Sequence, residues 1–494
     1  MFPEKFFNFL LFFFLAQVGF CTTMRANLLL FRLKLLFLLC KMKMMKKKIF
    51  FKLTFFLVVF CVNAQKNYQP PLNIPLVLSA NFGELRPNHF HSGIDFKTQG
   101  VINKPVYSIE DGHVSRILVS PGGYGLALYI VHPSTGEESV YGHLNKFIPE
   151  ITDYVKQKQY EQKQYRVDLK LGESIFPVHK GDLIAYSGNT GSSGGPHLHF
   201  EIRDSKTQRA LDVIPFYKEF IKDTKVPHVR GIAIYPLEDE GVLNGSTSIF
   251  RQSISLQKSG VYSAIADKLY AWGKIGFGIH ANDYMDNTNN IYGVKSVKLF
   301  CDSLEVFSFN MESVDFDTSK MINSLTDYDY WYRRKIFYMK SFLEKGNTLD
   351  CVQARNGGYV DVCEERTYNM RYDLEDVHGN ISSYSFEIIG QRQDISLSRA
   401  CAMYMSWDKN NYYVNSDFTL IIPPYSLYDD LCFSLEKKNT AEYCSKIYQV
   451  NDRYIPLDKS AYLKLKLTSD TFQNKQQYGV VTIDGKRTVW SGGR

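Results

Sequence analysis

The most regular hydrophobic pattern in the chain is a strict alternation at residues 197–203, His-Leu-His-Phe-Glu-Ile-Arg. Successive side chains of a β-strand point to opposite faces, so this pattern predicts a strand with His197, His199 and Glu201 on one face and the apolar side chains on the other. Between residues 76 and 205, further short apolar runs are separated by glycines. Short strands at this spacing favour an antiparallel β domain.

One segment of this domain, at about residues 148–178, breaks the strand pattern. It contains the sequence TDYVKQKQYEQKQ, which has no Gly or Pro and is rich in residues that form helices. We therefore expect a helical insertion at the rim of the β domain. The simpler interpretation is a solvated, charged helix with no role in a site.

The chain after this domain is also β-rich and divides into three parts. Residues 206–225 predict a linker, residues 226–393 alternate as in an immunoglobulin-like β-sandwich, and residues 394–494 predict a further β-rich region. The sequence stops directly after Trp-Ser-Gly-Gly-Arg, which leaves open whether the last region is complete. The predicted fold class is mainly β throughout.

The first 64 residues differ from the rest in charge. They carry ten Lys/Arg and one Glu, whereas residues 65–494 carry 48 basic and 50 acidic residues. The lysines at 46–48, the apolar run at 49–60 and the small residues that end at Ala64 follow the order of an export signal. We therefore expect an exported protein of the periplasm, cell envelope or extracellular space, with residues 65–75 as a lead-in. The near-neutral remainder indicates no nucleic acid partner.

The leader leaves alternatives open. Residues 1–43 contain two more apolar runs, which favours a functional start at Met44 or Met45 over an extra membrane hairpin. A retained membrane anchor is the alternative to cleavage, although residues 49–60 are fewer than the roughly 20 residues of a bilayer span. Lipid modification of Cys61 is disfavoured because Phe60 stands where lipoprotein signals have a small residue.

Six of the nine cysteines lie between residues 301 and 444. None of their spacings is that of a zinc knuckle, and an even number in an exported protein favours disulfides. We predict at least one disulfide in this region. The first choices are Cys351–Cys363 and Cys432–Cys444, because a hairpin-sized separation joins each pair, and free thiols are the alternative.

The candidate chemistry is concentrated in the first β domain. His197 and His199 lie one pleat apart on the predicted strand, and residues 89–95 place His91 and Asp95 close together in the sequence. Imidazole and carboxylate donors from separate segments suit Zn²⁺. The spacing does not decide which of His197 and His199 binds a metal. His143, in the sequence VYGHL, is a further candidate.

Four stretches of this domain resemble a known family, the lysostaphin/LytM-type peptidoglycan metallopeptidases: HSGID, DGHVSRI, VYGHL and KGDLIAYSGNTGSSGGPHLHFEIR. The resemblance covers about residues 75–205. It implies a zinc ion held by His91, Asp95 and His199, with His143 and His197 as catalytic histidines that do not bind the metal. Three protein ligands leave one coordination position open, as catalytic zinc sites do. The long insertion after His143 departs from the family pattern.

The resemblance implies an exported zinc endopeptidase that hydrolyses peptide cross-links of peptidoglycan. Two other classes stay open: a silent LytM-like module that binds or activates other wall hydrolases, and an envelope scaffold that acts through its C-terminal β domains. No ligand of the family pattern is missing, which favours the enzyme. We found no catalytic pattern in the C-terminal domains, which we expect to bind the wall or a protein partner. The sequence leaves the oligomeric state open.

Overall fold

A computed structural model describes residues 67–397, 401–451, 453–469, 474–485 and 487–492. The predicted leader, with its alternative start sites and Cys61, lies outside these residues. The described part of the chain contains no helix that is both long and apolar enough to cross a membrane. Strands dominate every region, so the predicted mainly β class is confirmed.

The first domain is an antiparallel β structure with one helix. Its elements are β1 (Leu78–Ala80), β2 (Leu85–Arg86), β3 (His89–Phe90), β4 (Ile94–Lys97), β5 (Pro105–Tyr107), β6 (Gly112–Val119), β7 (Leu126–His132), β8 (Glu137–Leu144), β9 (Lys146–Phe147), α1 (Pro149–Gln162), β10 (Val167–Lys170), β11 (Pro177–Val178), β12 (Leu183–Tyr186), β13 (His197–Asp204) and β14 (Ala210–Leu211). The main sheet has the order β1-β4-β13-β8-β7-β6-β10, and β5-β12-β9 form a smaller sheet. Strand β13 is therefore central.

The insertion between β9 and β12 contains the predicted helix and also adds to the main sheet. Helix α1 has a proline in its first turn, where a missing N–H costs nothing, and ends at Lys163 in the left-handed conformation. Its buried residues are Ile151 and Val155. After the helix, β10 and β11 both pair with β6 at the edge of the sheet. The insertion therefore extends the scaffold as well as its rim.

The second domain is built on one ten-stranded sheet, with short helices and the separate strand β20. Its elements are β15 (His228–Leu243), β16 (Phe250–Ser253), β17 (Tyr270–Asn282), β18 (Ser296–Cys301), β19 (Leu304–Asn310), β20 (Ser313–Val314), α2 (Ile322–Leu325), α3 (Tyr328–Arg334), β21 (Met339–Lys340), β22 (Val352–Ala354), β23 (Val360–Val362), β24 (Thr367–Glu375) and β25 (Ile381–Gly390). The order is β16-β15-β17-β25-β24-β18-β19-β22, with β21 and β23 also paired to β17. Strands β17 and β25 are parallel.

Backbone pairing joins the first two domains. Strand β14, which lies in the predicted linker, pairs with β13 on one side and with β20 of the second domain on the other. Tyr217 of the same segment is fully buried. Most buried apolar residues from Tyr68 to Ile388 belong to one continuous cluster. Residues 206–225 are therefore packed structure that connects the two domains.

The last region is a set of small antiparallel units with its own core. Its strands are β26 (Tyr404–Met405), β27 (Asn411–Val414), β28 (Phe418–Ile422), β29 (Leu431–Cys432), β30 (Leu435–Lys438), β31 (Ile447–Val450), β32 (Tyr462–Leu465), β33 (Val480–Asp484) and β34 (Arg487–Gly492). The core around Met405 and Phe418 is separate from the larger cluster.

One disulfide forms among the C-terminal cysteines, between Cys401 and Cys432. The expectation of a bond in this region is confirmed, but both preferred pairings were wrong. Strands β26 and β29 pair so that Tyr404 faces Cys432, which brings the segment with Cys401 alongside. Cys351 and Cys363 are both free because the strands next to them pair with different partners, β22 with β19 and β23 with β17.

Candidate active site

The candidate site is assembled on β13. This strand pairs with β4 so that His199 lies opposite Asp95, and with β8 so that His199 lies opposite Gly142. The intervening Leu198 and Phe200 are fully buried. The predicted alternation is therefore present, and the strand register brings His199 and Asp95 together from positions 104 residues apart.

Gly142 and His143 of β8 lie beside the site, and each has a constrained position in the backbone. A Cβ atom at Gly142 would lie 3.3 Å from the Cβ of His199, so a side chain there would crowd the histidine. The next residue, His143, has a left-handed φ of 55°. A non-glycine residue held in this region costs about 1–3 kcal/mol and is typical of functional sites. Gly142 thus leaves room for the His199 side chain, and His143 adopts an unfavourable backbone conformation that is typical of a functional site.

Three of the predicted residues form a compact group. Nδ1 of His199 lies 2.9 Å from Oδ1 of Asp95, and Nε2 of His91 lies 3.3 Å from the same oxygen. The two nitrogens are 3.2 Å apart. One ligand atom from each residue lies within 4.8 Å of the other two, and all three groups are largely withdrawn from solvent.

Hydrogen bonds on the outer side of each ring fix which nitrogen faces the group. Nδ1 of His91 donates to the carbonyl oxygen of Asn81 at 2.7 Å, and Nε2 of His199 donates to Oε1 of Glu201 at 2.8 Å. Two lone pairs and a carboxylate oxygen therefore point at one another. This arrangement is repulsive unless a cation or proton lies between them, and it is the support pattern of histidines that bind a metal.

The electrostatic environment also favours a cation. Burial works against the charged form of Asp95, but the adjacent His91 and His199 hold the pKa of its carboxyl well below the usual range. Burial alone would lower the pKa of His199, yet Asp95 and Glu201 raise it to about 9. The carboxylates thus make this pocket negative, and donors of this kind suit Zn²⁺.

His143 and His197 lie beside the group and outside it. Their ring centroids are 4.7 Å apart, and that of His143 is 5.8 Å from that of His199. Nδ1 of His143 donates to Thr190 O at 2.8 Å, and Nδ1 of His197 donates to Gly195 O at 2.7 Å. Each ring therefore keeps Nε2 for another partner. Burial, with His199 and His197 nearby, lowers the pKa of His143 to about 4, so this ring is neutral at pH 7.

Glu201 is a buried part of the site to which we assigned no role from the sequence. In addition to His199, its carboxylate accepts from Ser92 and from Tyr124, each at 2.7 Å, and pairs with Arg203 at 2.6 Å. Burial disfavours ionisation of Glu201, but Arg203 and His199 lower its pKa. The alternation in the sequence had placed Glu201 on the same strand face as the two histidines. This shared face was the feature of the sequence that could have indicated a role for Glu201 in supporting them.

A second feature missed from the sequence links the site to the second domain. The side chain of Asn81 donates from Nδ2 to Gly293 O at 2.7 Å and accepts from Gly293 N at 2.9 Å through Oδ1. The carbonyl of the same Asn81 holds the ring of His91. A loop of the second domain therefore positions the backbone that orients a candidate ligand. Nothing in the local sequence around Asn81 indicates this contact, because its partner is 212 residues away.

Parts of the chain are similar to known proteins. Residues 166–212 match Peptidase family M23, a stretch that includes β13 and its histidines. An uncharacterized metalloprotease of Haemophilus influenzae is 35% identical over 120 residues, 24% of this chain and 19% of that protein. This part of the chain is similar to M23 peptidases. The resemblance to lysostaphin/LytM-type peptidases is therefore confirmed for the first domain.

Other relatives of this M23-type domain have more specific names. The DD-carboxypeptidase/endopeptidase Mpg of Neisseria meningitidis serogroup B is 34% identical over 114 residues, 23% of this chain and 20% of that protein. Lysostaphin of Staphylococcus staphylolyticus is 28% identical over 130 residues, 26% of this chain and 22% of that protein. The chain thus matches about a fifth of the length of each of these relatives.

Parts of the chain are also similar to solved peptidase structures and to a second family. A zinc-containing peptidase from Vibrio cholerae is 28% identical, with coverage of 31% of this chain and 37% of that chain and a TM-score of 0.20. The catalytic domain of lysostaphin from Staphylococcus simulans is 25% identical, with coverage of 29% and 92% and a TM-score of 0.22. Residues 402–494, in the last β-rich region, match the Zu5-like domain.

Proposed function

We propose that this protein is a zinc metallopeptidase that hydrolyses peptide cross-links of bacterial peptidoglycan. The observation that carries the proposal is the convergence of His91, Asp95 and His199, with His143 and His197 beside them. The M23-type domain supports peptidase chemistry in general. The choice of zinc and of peptidoglycan is our inference from the donor set and from the named relatives.

The residues present fit a zinc ion. Two imidazole nitrogens and one carboxylate oxygen already face a common point, and the opposite nitrogens of both rings are held by Asn81 and Glu201. Three ligands of this kind leave a position open for substrate or solvent. The chemistry that Zn²⁺ supplies when bound is Lewis-acid activation of a carbonyl group and of water.

His143 and His197 provide the groups for proton transfer in this proposal. His143 is neutral at pH 7, so its Nε2 can accept a proton from the attacking water and return it to the departing amine. Nε2 of His197 lies 3.5 Å from Oδ1 of Asp95, at the edge of the candidate metal group. As an imidazolium, with a proton on each ring nitrogen, His197 can donate from Nε2 and stabilise the negative charge that develops on the carbonyl oxygen.

The loops around the site suit an extended peptide. A Cβ atom added at Gly123, Gly194 or Gly195 would meet no other atom within 4 Å, so these glycines face open space. Without side chains, a substrate backbone can approach closely. Peptide cross-bridges of the cell wall are unbranched and can lie along such a surface. The relatives named as a DD-carboxypeptidase/endopeptidase and as lysostaphin support this substrate class.

The proposal is tested by digestion of purified peptidoglycan with the zinc-loaded protein. We expect new amino and carboxyl ends in the stem or bridge peptides and no new reducing sugar ends, with the products identified by mass spectrometry. Asp95→Ala, which removes a candidate ligand, is the inactive control. If a fully zinc-loaded protein binds peptidoglycan but cuts nothing, the protein is a binding module and the proposal fails.

Export is a further part of the proposal. The order of basic, apolar and small residues in the first 64 positions supports an export signal that is cleaved after Ala64. N-terminal sequencing of the protein recovered from the cell envelope should begin at or near Gln65. Recovery of a membrane-bound form that keeps residues 44–60 would contradict cleavage and favour the anchor.

A further inference from the structure

A second cluster of carboxylates and an imidazole lies apart from the candidate active site. Asp223 belongs to the segment that leaves the first domain, and Asp376 and His378 lie in the turn between β24 and β25 of the second domain. One ligand atom from each of the three lies within 4.8 Å of the other two. The cluster therefore stands where residues 206–225 meet the second domain.

Several buried atoms in and beside this cluster lack a hydrogen-bond partner. Among the described residues, six buried side-chain polar atoms have none, and three of the six are Oδ2 of Asp223, Oδ1 of Asp283 and Nδ1 of His378. Asp223 is 8% exposed and Asp283 is 1% exposed. Buried polar atoms are almost always paired, so a concentration of unpaired ones calls for an explanation such as a bound ion.

The hydrogen bonds that do form show that the unpaired atoms are acceptors. Nε2 of His378 donates to Ile221 O at 2.7 Å, which leaves a lone pair on Nδ1. Oδ1 of Asp223 accepts from Lys225 N at 3.0 Å, which leaves Oδ2 free. Both oxygens of Asp376 are held in place, because Oδ1 accepts from His378 N at 2.8 Å and Oδ2 accepts from Asn380 Nδ2 at 2.7 Å. Lone pairs cannot satisfy one another, so the cluster needs a cation or protons.

Carboxyl groups crowd together in this region, and burial raises the pKa of Asp283 to about 8, so Asp283 is protonated at pH 7. Asp223 and Asp376 interact electrostatically with the buried Asp283 close by. In the part of the chain that the structure describes, none of these three carboxylates forms an ion pair with a lysine, arginine or histidine. Buried charges without a partner are costly, and proteins place them where they are paired or coordinate a metal.

We propose that Asp223, Asp376 and His378 bind a divalent metal ion of the class that accepts imidazole together with carboxylate, such as Zn²⁺ or Mn²⁺. Calcium takes oxygen ligands only, and the free nitrogen of His378 argues against it. The ion would tie the segment after the first domain to a turn of the second. Its role is structural, and this inference is independent of the proposed peptidase function.

The number of bound metal ions tests the inference. The protein is stripped with a chelator, reloaded with Zn²⁺ or Mn²⁺, dialysed and subjected to elemental analysis. We expect one equivalent in this cluster for the wild type and none for Asp223→Asn or His378→Gln, whose affinity at this site should fall more than about 100-fold. Asp373→Asn, which alters a carboxylate of β24 just before Asp376 and outside the cluster, should keep the full content.

The candidate active site is counted separately. Asp95→Ala should remove one equivalent there and leave the second, so that the double variant Asp95→Ala, Asp223→Asn contains none. If the proposed peptidase site fails to bind metal, the wild type holds one equivalent that only the Asp223 and His378 variants lose. Equal metal content in the wild type and in both of those variants would overturn the inference, as would saturation by Ca²⁺ but not by Zn²⁺ or Mn²⁺.

Thermal unfolding distinguishes a bound ion from protons or misfolding. In the Asp95→Ala background, Zn²⁺ or Mn²⁺ should raise the melting temperature of the protein with an intact cluster and leave that of the Asp223→Asn variant unchanged. In chelator, Asp223→Asn should melt at or above the temperature of its parent, because it removes an unpaired buried charge. A melting temperature that is insensitive to metal in the intact cluster would show that protons neutralise it.

Discussion

The two clusters of aspartate and histidine use the same residue types in different surroundings. At His91 and His199, each outward nitrogen has a protein acceptor, and two more imidazoles stand beside the candidate ligands. At Asp223 and His378, buried acceptor atoms lack partners, and no further imidazole is found among the described residues of that cluster. The additional imidazoles around the first cluster are what we expect of a catalytic site, and their absence from the described residues of the second cluster is what we expect of a structural one. We expect turnover to depend on the first cluster alone.

The largest effect expected from this comparison comes from matched changes at the two clusters. His199→Ala removes a nitrogen that faces Asp95, so peptidase activity should fall to background together with one bound metal ion. His378→Gln should keep activity at temperatures below its melting point. Rates of release of peptide ends from peptidoglycan, measured beside metal content, check both results. Equal losses of activity in the two variants would abolish the distinction.

The second prediction separates ligands from proton-transfer groups inside the first cluster. His143→Ala and His197→Ala should each retain zinc and lose about 10²–10⁴-fold in turnover, because these rings lie outside the three-residue group. Elemental analysis and the turnover rate of each variant provide the check. A His197 variant without zinc, or a His199 variant with full zinc, would mean that the two roles are exchanged.

The third prediction concerns the contact between the first cluster and the second domain. Asn81→Ala breaks both hydrogen bonds to Gly293 and frees the backbone that holds His91, so metal affinity should fall by about 10–100-fold. Metal titration of the stripped protein measures it. Asn310→Ala removes an exposed amide that donates to Glu312 and serves as the control. Wild-type affinity in the Asn81 variant would show that the second domain does not support the site.

The smallest expected effect is on stability and lies outside both clusters. Burial, opposed in part by Lys295, raises the pKa of Asp212 to about 6. The folded pKa exceeds the unfolded value of about 3.9, so ionisation of Asp212 destabilises the folded protein as the pH rises from about 4 to about 6. Above about pH 6 this destabilisation stays constant. Asp212→Asn should therefore stabilise the protein at pH 7 by about 1–3 kcal/mol and not at pH 4. Denaturant unfolding at the two pH values measures this, and equal shifts would contradict it.

The sequence was informative for the first cluster because local patterns carry it. Strand alternation alone placed His197, His199 and Glu201 on one face, and β13 has this arrangement. The helix of the insertion could also be predicted from the sequence, because the TDYVKQKQYEQKQ segment lacks Gly and Pro. The choice between His197 and His199 came from the family resemblance, because it depends on strand register. Only the pairing of β13 with β4 puts His199 opposite Asp95.

Long-range contacts account for what the sequence did not indicate. The hydrogen bonds between Asn81 and Gly293 and the gathering of Asp223 with Asp376 join residues more than 150 positions apart. No local periodicity reports such contacts. The prediction of the cysteine pairs failed for the same reason. Strand pairing brings Cys401 to Cys432 across 31 residues, and the predicted pairs with a hairpin-sized separation do not form.

The central claim, that the first cluster is a zinc-dependent peptidase centre for cell-wall peptides, is tested most directly by one comparison of products. Purified peptidoglycan is treated with zinc-loaded wild type and with zinc-loaded His143→Ala, and new amino ends are quantified over time. The account predicts steady release of peptide amino ends by the wild type and release about 10²–10⁴-fold slower by the variant at equal zinc content. Equal release by both proteins, or new reducing sugar ends without amino ends, would contradict it.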